Sequence, residues 1–175
     1  MMKKLFIGIL FLGFVNLTYS QSFDTKETNM KLEGDQVSPV NITYLNKVSD
    51  YTIGRRVLSL QEEVANYNIT TTSEFKGKTN VNHLSFLGNK GKIWATFNNR
   101  GKLISSYERY LNIVFPKPVR NSIYMKYPGW NILGNAYVVS YSHLEQGDVK
   151  KFYRVKIKKD YLIKRLKIDI QGKLL

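Results

Sequence analysis

Ala95-Thr96-Phe97-Asn98-Asn99-Arg100-Gly101-Lys102-Leu103-Ile104 is echoed by Leu166-Lys167-Ile168-Asp169-Ile170-Gln171-Gly172-Lys173-Leu174-Leu175. Each stretch reads as a strand, a Gly turn, then Lys-Leu and one further apolar residue. Tyr67-Asn68-Ile69 is echoed in the same way by Trp130-Asn131-Ile132, each just after a short helical pattern. A helix-plus-strands unit present twice sets the architecture and points toward binding rather than catalysis.

Working outward from these echoes, the spacing predicts a first helix over about Thr52 to Asn66. Val57, Leu60 and Val64 form its stripe, and Gly54 lies in its first turn. Runs rich in Thr, Phe and β-branched residues then predict strands over Ile69–Phe75, Val81–Leu87, Ile93–Asn98 and Leu103–Val114. Lys76-Gly77-Lys78 and Gly88-Asn89-Lys90-Gly91 read as tight turns between them. Pro116-Lys117-Pro118 opens a second helix, because proline has no N–H to lose in a first turn. Val119, Ile123 and Tyr127 stripe that helix and Pro128-Gly129 ends it. Tyr137–Ser142, Phe152–Lys158 and Tyr161–Ile170 are the strands that follow, with Glu145-Gln146-Gly147-Asp148 as a hairpin loop. The links are too short for parallel crossovers. The expected fold is therefore α+β: two tandem helix-plus-antiparallel-strand units, residues 49–115 and 116–175, with helices on one face of a curved sheet.

Pro116-Lys117-Pro118-Val119 through Lys126-Tyr127-Pro128-Gly129-Trp130 resembles the opening of PepSY-like domains, which are described as similar in fold to the β-lactamase-inhibitor protein. Tyr137 to Tyr141, Tyr153 to Ile157 and the final Gly172-Lys173-Leu174-Leu175 are similar to the same pattern. Trp94 to Leu103 resembles the family's Ala-Thr-Phe-Asp hairpin, with Asn98 standing where the family has Asp. The resemblance spans roughly residues 50 to 175. It implies an exported, small α+β protein with a binding or inhibitory role.

Residues 1–20 have the form of a secretory signal peptide: Lys3 and Lys4 precede the apolar stretch Leu5 to Val15, and small Ser20 precedes Gln21. That stretch is short of the roughly 20 residues a spanning helix needs. Residues 21–48 read as a flexible leader, with Val40, Ile42 and Tyr44 as an edge strand after Pro39. The expected compartment is periplasmic or extracellular. The chain has no Cys, so neither disulfides nor thiol chemistry enter, and stability must come from burial.

Catalytic patterns are not legible. His83 and His143 are isolated and lack the spacing of a zinc site. No Gly-x-Ser-x-Gly elbow positions a nucleophile, and Gly88 to Lys92 lacks the phosphate-loop spacing. The reading is a non-enzymatic protein without cofactor or metal.

The charge is more informative. The chain carries a formal +14, and Val149 to Leu175 holds ten Lys or Arg against Asp160 and Asp169. Strand alternation puts Arg154, Lys156 and Lys158 on the face opposite Tyr153, Val155 and Ile157. Arg165 and Lys167 likewise oppose Leu166, Ile168 and Ile170. The predicted site is this basic face, with Tyr141 as an aromatic neighbour. Trp94 is placed on a central strand and Trp130 at the helix-to-strand corner. The expected partner is an acidic protein or peptide, and the alternative is a polyanionic glycan or anionic envelope surface. Nucleic acid is disfavoured because no recognition motif accompanies the charge. A bland solvated sheet face would carry the same alternation.

Overall fold

Three helices lie on one face of a six-stranded antiparallel sheet in the computed structural model, which describes residues 40–73, 75, 81–143 and 148–175. The helices are α1 (Ile42–Val48), α2 (Arg55–Asn66) and α3 (Lys117–Lys126). The strands are β1 (Val81–Gly88), β2 (Gly91–Asn98), β3 (Leu103–Leu111), β4 (Asn131–Ser142), β5 (Asp148–Lys159) and β6 (Leu162–Asp169). They are paired in chain order from β1 to β6, and the sheet is not closed. The chain order is two helices, three strands, a helix and three strands. The proposed signal peptide and leader up to residue 39, the Lys76-Gly77-Lys78 turn and residues 145–147 of the hairpin loop lie outside the described residues.

Alternation along each strand decides the layers. Ile93, Ala95 and Phe97 of β2, Tyr137 and Val139 of β4, Tyr153, Val155 and Ile157 of β5, and Leu166 and Ile168 of β6 are buried under the helices. Val57, Leu60 and Val64 of α2 and Val119 and Ile123 of α3 meet them, so both predicted helical stripes are the packed ones. At roughly 25 cal/mol per Å² of apolar area removed from water, this single layer of contacts is the main stabilising term in a chain without disulfides.

Two predicted strands are corrected. Val40-Ile42-Tyr44 is not an edge strand: α1 forms there, because Tyr44 and Val48 are four residues apart and both fully buried, whereas Val40 and Ile42 are exposed. Ile69–Phe75 is not a strand either. Asn68 Oδ1 accepts the Thr70 N–H and hydroxyl, and the Thr71 and Thr72 hydroxyls donate back to main-chain carbonyls. These local bonds wind Ile69–Thr71 into a single 3₁₀ turn in place of a ladder. The first predicted helix also starts later, with Gly54 as its N-cap. β3 ends at Leu111, where Asn112 takes a left-handed φ of 52°.

The two echoed stretches close with one geometry. Asn98 Oδ1 accepts the main-chain N–H groups of Arg100 and Lys102, and Asp169 Oδ1 accepts those of Gln171 and Lys173. In both turns the glycine N–H returns to the Asx carbonyl, and the glycine itself has positive φ: 78° at Gly101 and 92° at Gly172. Asn and Asp are interchangeable here because the turn uses only an acceptor oxygen.

Candidate functional site: the open face of the sheet

The strand alternation that buries one set of side chains leaves the other set on a face without helices. In register across the sheet, Lys92 of β2 stands opposite Arg109 of β3, Arg109 opposite Val138 of β4, and Val138 opposite Phe152 of β5. The next row toward the β5–β6 hairpin joins Leu111, Ala136, Arg154 and Lys167. The row after that joins Gly134, Lys156 and Arg165. On the other side of the Lys92 row lie Trp94 and Tyr107, ring centroids 5.7 Å apart and both well exposed.

Arg154, Lys156, Lys158, Arg165 and Lys167 all lie on this open face and are exposed. Register sharpens the picture beyond a shared face. Arg154 pairs directly with Lys167, and Lys156 directly with Arg165. Directly opposed residues hold their Cβ atoms about 5 Å apart, and like charges in that position are destabilising. No carboxylate intervenes: the one ion pair among the described residues is Lys150 with Asp148 at 3.8 Å, on an exposed part of β5. Asp169 points its carboxylate into its own turn. Lys167 Nζ sits 4.4 Å from the centre of the Phe152 ring and Arg154 lies 5.6 Å from it, so an aromatic face partly shields this cluster.

Tyr141 does not join them. It is buried on the helix side, its ring edge-on to Tyr44 of α1 at 5.6 Å, and burial raises its hydroxyl pKa. Odd-numbered residues of β4 beyond its bulge face the helices, which is why Tyr137, Val139 and Tyr141 share that fate. Trp94 lies on the open face, whereas Trp130 packs on Tyr127 at the corner between α3 and β4, with Lys164 over both rings.

Between the two cationic walls the face sinks into a trough of about 750 Å³. Its floor is Gly134 and Ala136, the smallest residues of the two rows. Its walls are Arg109 and Leu111 on one side and Arg154, Lys156, Arg165 and Lys167 on the other, with Asn112 and Leu133 at the end. Arg109, Leu111, Asn112, Leu133, Trp94 and Tyr107 were not singled out as site residues by the sequence. The signal that places them is the pairing of β3 with β4, which a one-strand pattern does not contain.

Under the sheet lies a second polar group. Glu108 is fully buried and accepts hydrogen bonds from Tyr44 Oη (2.8 Å), Gln61 Nε2 (2.7 Å), Tyr110 Oη (2.7 Å) and Ser106 Oγ (3.3 Å). Burial pushes its carboxyl pKa up, against the pull of these four donors, and burial, followed by the Glu108 charge, pushes the Tyr44 and Tyr110 hydroxyls up. This cluster ties α1 and α2 to β3. His83 contacts Thr96 Oγ1 at 3.1 Å, and His143 contacts Lys102 Nζ at 3.2 Å. No group of three metal-ligating side chains occurs among the described residues, nor is any helix there long and apolar enough to cross a membrane.

Comparison of the chain with protein-family models, with curated proteins and with solved structures finds no match.

Proposed function

We propose that this is an exported, non-enzymatic binding protein that captures an acidic protein or peptide on its open sheet face. The observation that carries the reading is the pair of directly opposed like charges, Arg154 with Lys167 and Lys156 with Arg165, without a carboxylate between them. A merely solvated face would gain from alternating signs. Concentrated charge of one sign costs stability and instead raises the capture rate of oppositely charged partners. Exposed Trp94 and Tyr107 on the same face supply the aromatic anchors typical of protein interfaces.

The same proposal takes residues 49–115 and 116–175 as two fused units of a PepSY-like kind. The shared Asn98 and Asp169 turns support it. The test is capture from envelope and secreted fractions by the wild-type chain and by the triple variant Arg154→Glu/Lys156→Glu/Arg165→Glu. Wild type should retain a set of acidic proteins through roughly 0.15 M salt, and the variant should lose them. Identical profiles would remove the reading. Retention only on heparin or anionic vesicles, falling steeply with salt, would favour a polyanion or envelope-surface binder.

A further inference from the structure

We propose that the trough beside the β4 bulge is a seat for one extended peptide segment bearing clustered carboxylates and a branched apolar side chain. The inference rests on the open face being a partner surface and adds what the partner must present there.

The first observation is the bulge. β4 pairs Ile132 with Ile157 and then Gly134 with Lys156, so Leu133 is an extra residue with no opposite number on β5. A bulge re-aims the side chain it carries. Leu133 here is half exposed and lines the trough, although a solvent-facing strand end would be better served by a polar residue. Leu111 lies across the floor from it, beside Ala136, and is also exposed. Two apolar side chains left in water at the wall and end of a cationic trough mark a place for an apolar side chain.

The second observation is Asn112. Its left-handed φ of 52° is uncommon for a residue other than glycine. Its Oδ1 lies 3.5 Å from where a Cβ on residue 134 would stand, so the amide projects over the floor. An amide offers both a donor and an acceptor, which matches a peptide group.

Third, the cations stand on both sides of that floor. Arg109 comes from β3, while Arg154 and Arg165 come from β5 and β6. A planar guanidinium group donates two parallel hydrogen bonds to a carboxylate. A bilayer is flat and would rest on the rims without reaching Leu133. A sulfated glycan would use the arginines and leave the apolar pair unused. The volume falls within the roughly 300–1,000 Å³ of sites that enclose small ligands, so it holds a segment, with the rest of the partner lying across Trp94 and Tyr107.

Fluorescence anisotropy with labelled probes tests this at roughly 0.15 M salt. The probes are a peptide alternating Glu and Leu, a peptide of equal charge alternating Glu and Gly, and a heparin-derived oligosaccharide. The Glu–Leu peptide should bind about tenfold tighter than the Glu–Gly peptide, a difference of about 1.4 kcal/mol. Ala136→Trp fills the floor without changing charge, and Leu133→Ser removes the apolar seat from a half-exposed position that folding tolerates. Each should cut Glu–Leu affinity about tenfold while leaving the oligosaccharide unaffected. Equal affinity for the two peptides would overturn the inference, as would no effect of Leu133→Ser while Arg154→Glu abolishes binding; in that second case the acidic-partner reading survives. If the oligosaccharide binds tightest, or if Arg154→Glu changes nothing, that reading falls as well.

Discussion

Glu108 shows how one residue can be fixed by its surroundings. Its two oxygens accept four hydrogen bonds, from an α1 tyrosine, an α2 glutamine, and the serine and tyrosine that flank it on β3. A buried carboxylate with its acceptor sites filled is tolerable, whereas the same donors without an acceptor are not. Glu108→Ala should therefore cost about 3 kcal/mol, because it strands buried donors as well as opening a cavity; urea unfolding checks it. The pH response has a definite sign. Unfolded, the carboxyl titrates near 4.5, and in the fold burial raises it. Between those two values the folded chain holds a proton that the unfolded chain has released. The group's contribution is thus fully present below the unfolded value and is lost as pH rises through the folded one. Glu108→Gln does not titrate. The stability difference between wild type and Glu108→Gln should shift in favour of the variant as pH rises from about 4.5 toward neutral. Thermal melts across that range that run parallel for the two proteins would contradict the assignment.

At the scale of elements, the two Gly turns share a conformation but not a setting, and this separates their mutational costs. A Cβ on Gly172 would come within 2.6 Å of the Pro118 main-chain oxygen at the start of α3. At Gly101 the nearest atom, at 2.5 Å, is a methyl of Thr70, an exposed side chain that can turn away. Both substitutions incur the left-handed penalty of about 1 kcal/mol. Gly172→Ala must also move a helix, so it should destabilise by about 2 kcal/mol or more, and Gly101→Ala by about 1. A reversed order in denaturant unfolding would show that α3 docks more loosely than the close approach of Gly172 to Pro118 requires. These turns were legible because a strand, an Asx residue and a glycine fall at fixed offsets, and the β5 and β6 faces were legible because Lys and Arg alternate with apolar residues. β3 was not. Its buried set contains Ser106, Glu108 and Tyr110, while its exposed set contains Tyr107 and Leu111. Reading polarity alone would turn the strand over and hide Arg109 from the site. α1 and the 3₁₀ turn were missed for a related reason. Tyr44 and Val48 find burial only against β4 and its neighbours, and Asn68 outcompetes a ladder with its own side chain. Tyr141 was misplaced because its face follows from its pairing with Ser106 and Val149, which the pattern of its own strand does not contain.

For the whole molecule the question is why a chain without disulfides carries +14 and concentrates so much of it on one sheet face. Most of the buried layer lies on the helix side; on the open face Val138 and Ala136 are buried, and the charged side chains around them contribute little to stability beyond the sheet itself. Its cations repel one another across directly paired positions. If binding is what maintains that arrangement, relieving it should make the protein more stable and less able to bind, the usual trade at functional surfaces. Arg165→Glu puts a carboxylate opposite Lys156, converting a like-charge pair into an opposite one. At low salt it should raise stability by about 0.5–1 kcal/mol, and the gain should shrink toward zero in about 1 M salt, where screening acts within a few ångströms. Arg165→Lys should leave stability nearly unchanged, since it keeps the sign. Over the same salt series, Arg165→Glu should weaken capture of acidic partners. Thermal melts at two ionic strengths, set beside the binding measurement, decide the matter. A variant that loses stability at low salt would mean that Arg165 is held by contacts other than those its cross-strand neighbours provide, and the argument from mutual repulsion would fail.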